Sequence, residues 1–311
     1  MLRKSAIRRI IVASLALFIF GILSFFPNSI QSDILSKTTI DDANKTALYL
    51  IDPQSYVSRT QVVVKNQSTL NQAREIIELL TINSTKSHYI PNGFRAVLPD
   101  GTKLNDVSIQ NGVLKLDFND VFLKIPKDME ESAIESLVFS LTEIADVKGI
   151  LIYVQGELLT TLPQNKIKLP ELLTRDYGIN KIYDLTSFRN VVKTTTYYVS
   201  KYENTSYYVP VTQITNDSKE KVEIIIERLK SSPTHQTNLM SYLNANTELL
   251  DYEILENDIT LSFNYYVLDD FDNKNILEEV VYSISLSLQD TLDLQTVQFF
   301  IDGEKIDDFT T

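Results

Sequence analysis

Two runs of alternating apolar residues meet at an Asn-Gly pair in the stretch Val107-Ser108-Ile109-Gln110-Asn111-Gly112-Val113-Leu114-Lys115-Leu116-Asp117-Phe118. Asn-Gly favours the positive φ angles of a two-residue hairpin turn, so this stretch predicts two antiparallel strands. The alternation puts Leu114, Leu116 and Phe118 on one face, which we expect to be buried. The motif Leu98-Pro99-Asp100-Gly101-Thr102-Lys103-Leu104 leads into the hairpin.

The same pattern returns 145 residues later, in Tyr252-Glu253-Ile254-Leu255-Glu256-Asn257-Asp258-Ile259-Thr260-Leu261-Ser262-Phe263. Ile259, Leu261 and Phe263 keep the phase of the apolar residues in the first stretch. A slip of one residue would turn the whole apolar set towards water, so the matching phase predicts one shared fold. Asn244-Ala245-Asn246 replaces the Pro-Asp-Gly turn, and we expect the entry to this second hairpin to differ.

Further elements repeat on both sides of the two hairpins. The opening strands are predicted at Thr46-Ala47-Leu48-Tyr49-Leu50 and Thr195-Thr196-Tyr197-Tyr198-Val199, followed by second strands at Gln61-Val62-Val63-Val64 and Val209-Pro210-Val211-Thr212. Apolar residues at helical spacing predict four helices, with the stripes Leu70, Ala73, Ile76, Ile77, Leu80; Val222, Ile225, Ile226, Leu229; Ile134, Leu137, Val138, Leu141; and Leu277, Val280, Val281, Ile284. Closing strands run into Gly156-Glu157 and Gly303-Glu304. Because Pro210 has no N–H to donate, we expect its strand to be irregular or to lie at an edge.

The order of elements is therefore β-β-α-β-β-α-β in each repeat, which is typical of helices packed on one face of a mostly antiparallel sheet. We predict an α+β protein with two tandem domains, repeat 1 at 46–162 and repeat 2 at 194–311. Residues 163–193 join the repeats and contain Pro163 and Pro170. This connection is long for a plain loop, so part of it is expected to pack on a domain surface.

The N-terminus has the pattern of a membrane anchor. Arg3, Lys4, Arg8 and Arg9 precede the uncharged run 10–26, which is at the short end of a transmembrane helix. Basic residues stay cytoplasmic, so 1–9 is predicted to be a cytoplasmic tail and everything beyond 26 to be extracytoplasmic, with 27–45 as a tether. A cleaved signal peptide and a buried core helix are the alternatives.

Composition excludes several classes of function. The four basic residues of the N-terminus leave 25 Lys and Arg against 41 Asp and Glu in the rest of the chain, a balance of −16. This excess of acid disfavours nucleic-acid binding, because the chain would repel phosphate backbones. The chain has no Cys, which excludes disulfides, thiol nucleophiles and lipid attachment through Cys.

The duplicated unit resembles the GerM (sporulation and germination) domain. The resemblance is carried by the turn-and-hairpin segment 98–118, the helix residues Glu135-Ser136-Leu137-Val138-Phe139-Ser140-Leu141-Thr142 and the closing strand Val297-Gln298-Phe299-Phe300-Ile301-Asp302-Gly303. It covers 46–160 and 195–307. The family implies a fold similar to the ring-building domains of secretion systems and a role in the envelope between mother cell and forespore, where it supports a multiprotein channel complex. It implies no catalytic residue. The lipoprotein attachment common in the family is replaced here by the predicted helix at 10–26.

The residues that most often carry chemistry are sparse. The two histidines, His88 and His235, each stand alone in a predicted loop, whereas metal sites and hydrolase triads need several converging groups. Asp269-Asp270-Phe271-Asp272-Asn273 offers oxygen ligands for Ca²⁺ but lacks the Gly turn and distal Glu of an EF-hand; we interpret it as a solvated acidic loop. Among the 8 glycines there is no P-loop or dinucleotide-binding motif. The tyrosine clusters are expected to fill half-buried sheet positions rather than stack on glycans or anchor a protein partner; they are Tyr197-Tyr198, Tyr202, Tyr207-Tyr208 and Tyr265-Tyr266.

We therefore predict a non-enzymatic envelope protein with no catalytic, cofactor-binding or metal-binding residues and no cofactor. Its expected partners are proteins of an envelope complex, with self-association also possible, and a small-molecule ligand is not expected. The alternative is a module that binds cell-wall polymer. A groove that combines aromatic side chains with converging carboxylates would favour the alternative.

Overall fold

The elements follow the predicted order in both repeats. The computed structural model describes residues 45–64, 68–231, 238–272, 274–306 and 309–310. Repeat 1 contains β1 (Lys45–Ile51), β2 (Val57–Val63), α1 (Thr69–Leu80), β3 (Leu104–Gln110), β4 (Val113–Phe118), α2 (Glu130–Leu141), β5 (Gly149–Val154) and β6 (Glu157–Leu158). The connection contributes β7 (Ile182–Asp184). Repeat 2 contains β8 (Val191–Tyr202), β9 (Thr205–Asn216), α3 (Lys221–Lys230), β10 (Leu249–Leu255), β11 (Asp258–Phe263), β12 (Ile276–Leu277), α4 (Glu278–Leu292), β13 (Thr296–Ile301), β14 (Glu304–Ile306) and β15 (Phe309–Thr310).

The predicted tail, membrane helix and most of the tether, 1–44, lie outside the described residues, as do His235 and Asn273. None of the helices in the described ranges is long and apolar enough to span a bilayer.

Each repeat has its own four-stranded sheet, with the same order and the same strand directions. The orders are β3-β4-β5-β6 and β10-β11-β13-β14. The predicted hairpins are antiparallel, but β4 pairs with β5, and β11 with β13, in parallel. A parallel pair needs a crossover connection, and the second helix of each repeat supplies it. Two of the three strand pairs in each sheet are antiparallel, so the sheets are mostly antiparallel, as predicted, with one parallel pair each.

The hairpin chemistry and the strand phase agree with the sequence. Asn111 and Gly112 both have positive φ, 53° and 78°. Leu114, Leu116 and Phe118 are fully buried, as are Ile259, Leu261 and Phe263. The entry to the hairpin differs in conformation between the repeats, as expected: Gly101 has a φ of 83°, whereas Asn246 at the equivalent position does not have a positive φ. One backbone hydrogen bond is shared all the same. Asn244 accepts a backbone hydrogen bond from Thr247, just as Pro99 does from Thr102.

The opening strands of the two repeats join one shared sheet, which the sequence did not predict. β9 pairs with β8 along its whole length. Its other edge pairs with β2 of repeat 1, where Arg59 faces Tyr208, and then with β7. β9 is thus an interior strand, so of the two expectations for Pro210 the edge position is wrong. The irregular strand is confirmed, because pairing on this side of β9 is interrupted between Tyr208 and Gln213. Pro210 lies where the neighbour of β9 changes, and the Asn180 side chain bridges the two strands there by donating to the carbonyls of Val57 and Pro210.

Each repeat also has its own hydrophobic core, and the helices bury most of the predicted stripes. Leu70 and Val281 are partly buried, and Leu277 lies in β12, before α4 begins. In α2, Ile134, Leu137, Val138 and Leu141 are fully buried. Side chains cross between the cores: Tyr208 and Leu286 of repeat 2 pack on the first core, while Tyr56 and Phe94 of repeat 1 pack on the second.

The same polar groups recur where the two repeats meet. Ser140 of α2 accepts a hydrogen bond from the Tyr49 backbone at 2.9 Å, and Ser287 of α4 accepts one from the Tyr197 backbone at 2.8 Å. Tyr49 and Tyr197 are therefore equivalent positions, and their hydroxyls are 3.0 Å apart. Each hydroxyl also donates to a carboxylate of its own repeat: Tyr49 to Glu143, and Tyr197 to Asp290.

Arg175 of the connection lies between the two carboxylates. It forms ion pairs with Glu143, at 2.6 Å, and with Asp290, and its guanidinium also donates to the carbonyl of Phe139 and the hydroxyl of Thr142. Burial opposes ionisation of Glu143, but Arg175 and Arg59 outweigh it and hold its pKa below the ordinary value. Burial raises the pKa of Asp290, and Arg175 offsets part of that rise. We call Tyr49, Glu143, Arg175, Tyr197 and Asp290 the inter-repeat cluster.

The connection is fixed at further points. Glu130 of α2 accepts hydrogen bonds from the backbones of Gln164 and Asn165, both at 2.7 Å. Near the other end, Lys181 pairs with Glu135 at 2.6 Å. Residues 163–181 therefore pack against α2 and do not act as a flexible spacer.

The strand phase yields a stability prediction. Leu116→Ala and Leu261→Ala should each lower the free energy of unfolding by roughly 2–5 kcal/mol, because each removes a fully buried side chain from the middle of a strand. Lys115→Ala and Thr260→Ala, one residue away, serve as controls and should cost far less. Urea unfolding monitored by circular dichroism measures all four; equal losses at neighbouring positions would contradict the assigned phase.

The inter-repeat cluster yields a second prediction. Arg175→Met should cost roughly 3 kcal/mol, the low end for a buried pair, because Arg175 and Glu143 each remain 23% exposed. Replacing all three charges, in Arg175→Met/Glu143→Gln/Asp290→Asn, should recover part of that loss. Lys193→Met, which breaks a more exposed pair with Asp176, is the control.

The decrease in the free energy of unfolding that Arg175→Met causes should become smaller as the pH falls from about 7 to about 5. Without Arg175, the folded-state pKa values of Glu143 and Asp290 rise, since Arg175 lowers both. A carboxyl whose pKa is raised on folding adds stability as it takes up its proton, and this gain vanishes above the folded-state pKa. A loss that grows on acidification would contradict the assignment.

Candidate interaction surface

The histidine of repeat 1 lies on the surface. His88 belongs to the short 3-10 helix Ser87–Tyr89, is exposed, and places its ring 4.1 Å from that of Tyr89. Within the described residues, no group of three or more His, Asp or Glu side chains could hold a metal ion. The absence of catalytic residues stays a prediction.

The acidic loop closes on itself. The Asp270 carboxylate accepts a hydrogen bond from the backbone of Asp272 at 2.8 Å, and the backbones of Asp270 and Asn275 form an isolated bridge. Phe271 projects from this loop and is 57% exposed. Asp270 therefore stabilises a turn.

Most of the clustered tyrosines are structural. Tyr197, Tyr198 and Tyr207 are buried in the sheet, while Tyr202, Tyr208 and Tyr266 are partly buried. Tyr265 is the exposed member, at 50%, and its ring lies 6.0 Å from that of Phe271. Tyr265 also contacts the ring of Tyr266, at 4.4 Å, so these three rings form one small aromatic cluster, which does not extend to the other clustered tyrosines.

The end of the connection exposes apolar side chains. Ile182 and Tyr183 of β7, then Leu185 and Phe188, and finally Val191 of β8 are all substantially exposed, Phe188 at 99%. We call residues 182–191 the exposed linker segment. Among the described strands, β7 pairs only with β9, so its other edge is open to a further strand.

The loop that carries Phe188 has a fixed backbone. The Asn216 side-chain oxygen accepts from the backbones of Thr186 and Ser187, at 2.8 and 3.0 Å. The Asn216 side-chain nitrogen donates to the carbonyls of Ser187 and Arg189. A single amide therefore holds the loop on both sides of Phe188. The sequence does not reveal this segment, because it offers only two isolated aromatic residues in a connection without periodicity, and the amide that fixes the Phe188 loop lies 28 residues after Phe188.

Two grooves bear on the polymer-binding alternative. A cleft of 690 Å³ in repeat 1 is lined by one aromatic residue, Phe94, and by no Asp or Glu. A groove of 640 Å³ beside α3 and β10 gathers acidic residues but has one aromatic, Tyr252. Its acidic residues are Glu223, Glu227, Glu248 and Asp251. Neither groove combines a row of aromatic side chains with converging carboxylates.

Comparisons with known proteins agree with the duplicated fold. The family model Germane, described as sporulation and spore germination, matches residues 47–160 and 195–307. The spore germination protein GerM of Bacillus subtilis (strain 168) is 31% identical over 286 residues, which cover 88% of this chain and 76% of that protein.

A solved structure shows the same arrangement of two domains. The tandem GerMN domains of the sporulation protein GerM from Bacillus subtilis superpose with a TM-score of 0.76 at 27% identity, covering 84% of this chain and 91% of theirs. The family model covers most of the chain in two separate matches, and each match corresponds to one repeat of the structure. The chain therefore belongs to the Germane family of sporulation and spore germination proteins and carries its domain twice in tandem.

Proposed function

We propose that the chain is a membrane-anchored, extracytoplasmic interaction protein that supports a multiprotein envelope complex in sporulation or germination. The observation that carries this proposal is Phe188, an almost fully exposed aromatic side chain on a loop whose backbone is already fixed. Large aromatic residues are frequent binding hot spots. A preformed loop loses little conformational freedom on binding, which favours affinity.

Two rigid repeats suit such a role. The shared sheet and the inter-repeat cluster hold repeat 1 and repeat 2 in one orientation, and the linker segment leaves from between them. A partner that binds Phe188 therefore meets both repeats in a set geometry. Family membership supplies the setting in sporulation and germination.

The membrane anchor rests on the charge pattern of the N-terminus. Four basic residues before the uncharged run 10–26 favour a cytoplasmic N-terminus and an extracytoplasmic remainder. The acidic balance of that remainder disfavours nucleic acid and anionic lipid surfaces as partners.

The topology can be tested with reporter fusions. Alkaline phosphatase, which is active outside the cytoplasm, should be active when it is fused after Thr311 and inactive when it replaces everything beyond Arg9. The positive-inside rule requires this pattern. A reporter that is active only in the cytoplasm when fused after Thr311 would exclude the proposed anchor.

Partner binding can be tested by crosslinking and pull-down from membranes of the native organism. Phe188→Ala should remove specific proteins from those recovered with the wild-type chain, with a drop in recovery of about tenfold, because a hot-spot truncation costs on the order of 2 kcal/mol. Leu250→Ala removes another exposed apolar side chain, 58% exposed on β10, and is the matched control.

Variants of the acidic loop and of the two histidines test the proposal that the chain acts by binding partners and not by catalysis. His88→Ala, His235→Ala and Asp269→Ala/Asp270→Ala/Asp272→Ala should leave partner recovery and complementation nearly intact, since catalysis would concentrate its energy on a few such groups. Loss of complementation by one of them, with normal folding and normal recovery, would overturn the non-enzymatic interpretation. Unchanged recovery with Phe188→Ala would remove the linker segment from the proposal.

A further inference from the structure

The cleft of repeat 1 has preformed walls. Backbone hydrogen bonds tie Val97 and Leu98 to the carbonyl of Leu80, at 3.1 and 2.8 Å, and Ile82 to that of Leu98 at 3.0 Å. Three prolines, which restrict the backbone, also line it: Pro91, Pro99 and Pro126. A cleft of 690 Å³ falls within the range of roughly 300–1,000 Å³ that is usual for small-molecule sites.

Repeat 2 packs against the loop around Gly93, which lines the cleft. Gly93 has a φ of +87°, and a Cβ atom at this position would lie 2.6 Å from the ring of Tyr202. The loop is thus pressed against repeat 2, and only glycine fits at the contact. The shape of the cleft therefore depends on the fixed arrangement of the two repeats.

The chemistry of the lining is apolar and cationic. Its apolar side chains include Ile82, Ile90, Phe94, Val97 and Met129. Its charged residues are Arg95 and Lys124, and no Asp or Glu lines it, although the chain carries 41 acidic residues. Neither cation forms an ion pair with a described residue. Both are therefore available to an anion.

The second repeat provides an internal comparison. Arg95 exchanges two backbone hydrogen bonds with Ile51, and Met240 exchanges the same two with Val199. The two positions are therefore equivalent, and the fold accepts an uncharged side chain there.

Lys124 also has an equivalent of opposite charge. Asn119 and Asn264 both precede a 3-10 helix and accept the same type of hydrogen bond, from the backbones of Lys103 and Glu248. Five residues after these asparagines stand Lys124 and Asp269, respectively. The fold therefore does not require a cation at the position of Arg95 or at that of Lys124. Both cations nevertheless occur in repeat 1, which has the apolar cleft.

We propose that this cleft binds a small amphiphile, an aliphatic chain with one carboxylate or phosphate head. The chain would lie along the apolar wall and the head would pair with Arg95 and Lys124. Charge complementarity selects the anionic head, because the lining contains two cations and no acid. The head could belong to a free fatty acid or to an anionic phospholipid, and both share this chemistry.

Photoaffinity labelling of the full-length protein in zwitterionic nanodiscs tests the site. A ten-carbon carboxylate with a diazirine on its chain should label peptides from residues 81–99, as read by mass spectrometry. The half-saturating concentration of the matching alcohol should be about tenfold higher, because the alcohol cannot form the charge-assisted hydrogen bond of the carboxylate, and losing such a bond weakens binding by about that factor. Labelling that is confined to other segments, or equal labelling by acid and alcohol, would overturn the proposal.

Variants separate the head site from the chain site. Arg95→Met/Lys124→Asn should raise the half-saturating concentration of the carboxylate probe at least about tenfold and leave that of the alcohol unchanged. Ala96→Trp, which fills the cleft, should abolish labelling by both. Lys148→Met removes a cation at the opposite end of β4, beside Gly112, and should change nothing.

Arg95 and Lys124 are both exposed, so the double variant should fold even if Ala96→Trp does not. Unchanged labelling of the double variant by the carboxylate probe would refute the head site. Discs that contain anionic phospholipid identify the source of the ligand. Suppressed labelling assigns the cleft to a lipid, and unchanged labelling assigns it to a free amphiphile.

Discussion

The arrangement of the two repeats depends on Arg175. Glu143 of repeat 1 and Asp290 of repeat 2 each accept a hydrogen bond from the equivalent tyrosine of their own repeat, Tyr49 and Tyr197, whose hydroxyls meet between the repeats. Without a cation nearby, these two carboxylates would repel each other. The cation that contacts both carboxylates, Arg175, comes from the connection, and Arg59 of repeat 1 adds its charge near Glu143. Arg175 must stay close to both carboxylates, because leaving a charge unpaired in this poorly solvated region between the repeats is strongly unfavourable. The two repeats are therefore held in one relative orientation. The connection therefore acts as part of the structure and not as a tether.

This constraint explains the course of the chain on both sides of Arg175. Before it, Glu130 holds the turn at Gln164 and Asn165; after it, Asn180 fills the gap between β2 and β9. β7 then adds to the shared sheet, and the chain emerges with Phe188 on a loop held by Asn216. The exposed aromatic residue and the cleft beside Gly93 both have their positions set by contacts between the repeats. The two proposed binding functions therefore rest on the same inter-repeat geometry.

Sequence patterns predicted what depends on local chemistry. The Asn-Gly turn, the phase of Leu114 and Ile259, and the helical stripes follow from turn geometry and periodicity, and the structure agrees with them except at Leu277, which lies in β12. The shared sheet could not be predicted, because a strand pattern indicates which face is buried and not which strand lies beside it. Pro210 shows the same limit: a missing donor predicts an edge or an irregular strand, and the choice is decided by a distant residue, Asn180, whose amide bridges β2 and β9 at the interruption. Arg175 and Phe188 stand in a connection without periodicity, so their roles appear only once the repeats are placed together.

If the inter-repeat cluster holds the repeats as one rigid pair, a distance measured between the repeats should have a single, narrow value. The chain has no Cys, so Ser108→Cys on β3 and Glu253→Cys on β10, both exposed, allow two spin labels to be attached without side reactions. Double electron–electron resonance should give one narrow distance distribution between the labels in the wild-type background. The distribution should broaden when Arg175 is replaced by Met. A broad distribution in the wild-type background, or a narrow one that Arg175→Met leaves unchanged, would show that the inter-repeat cluster does not fix the arrangement of the repeats.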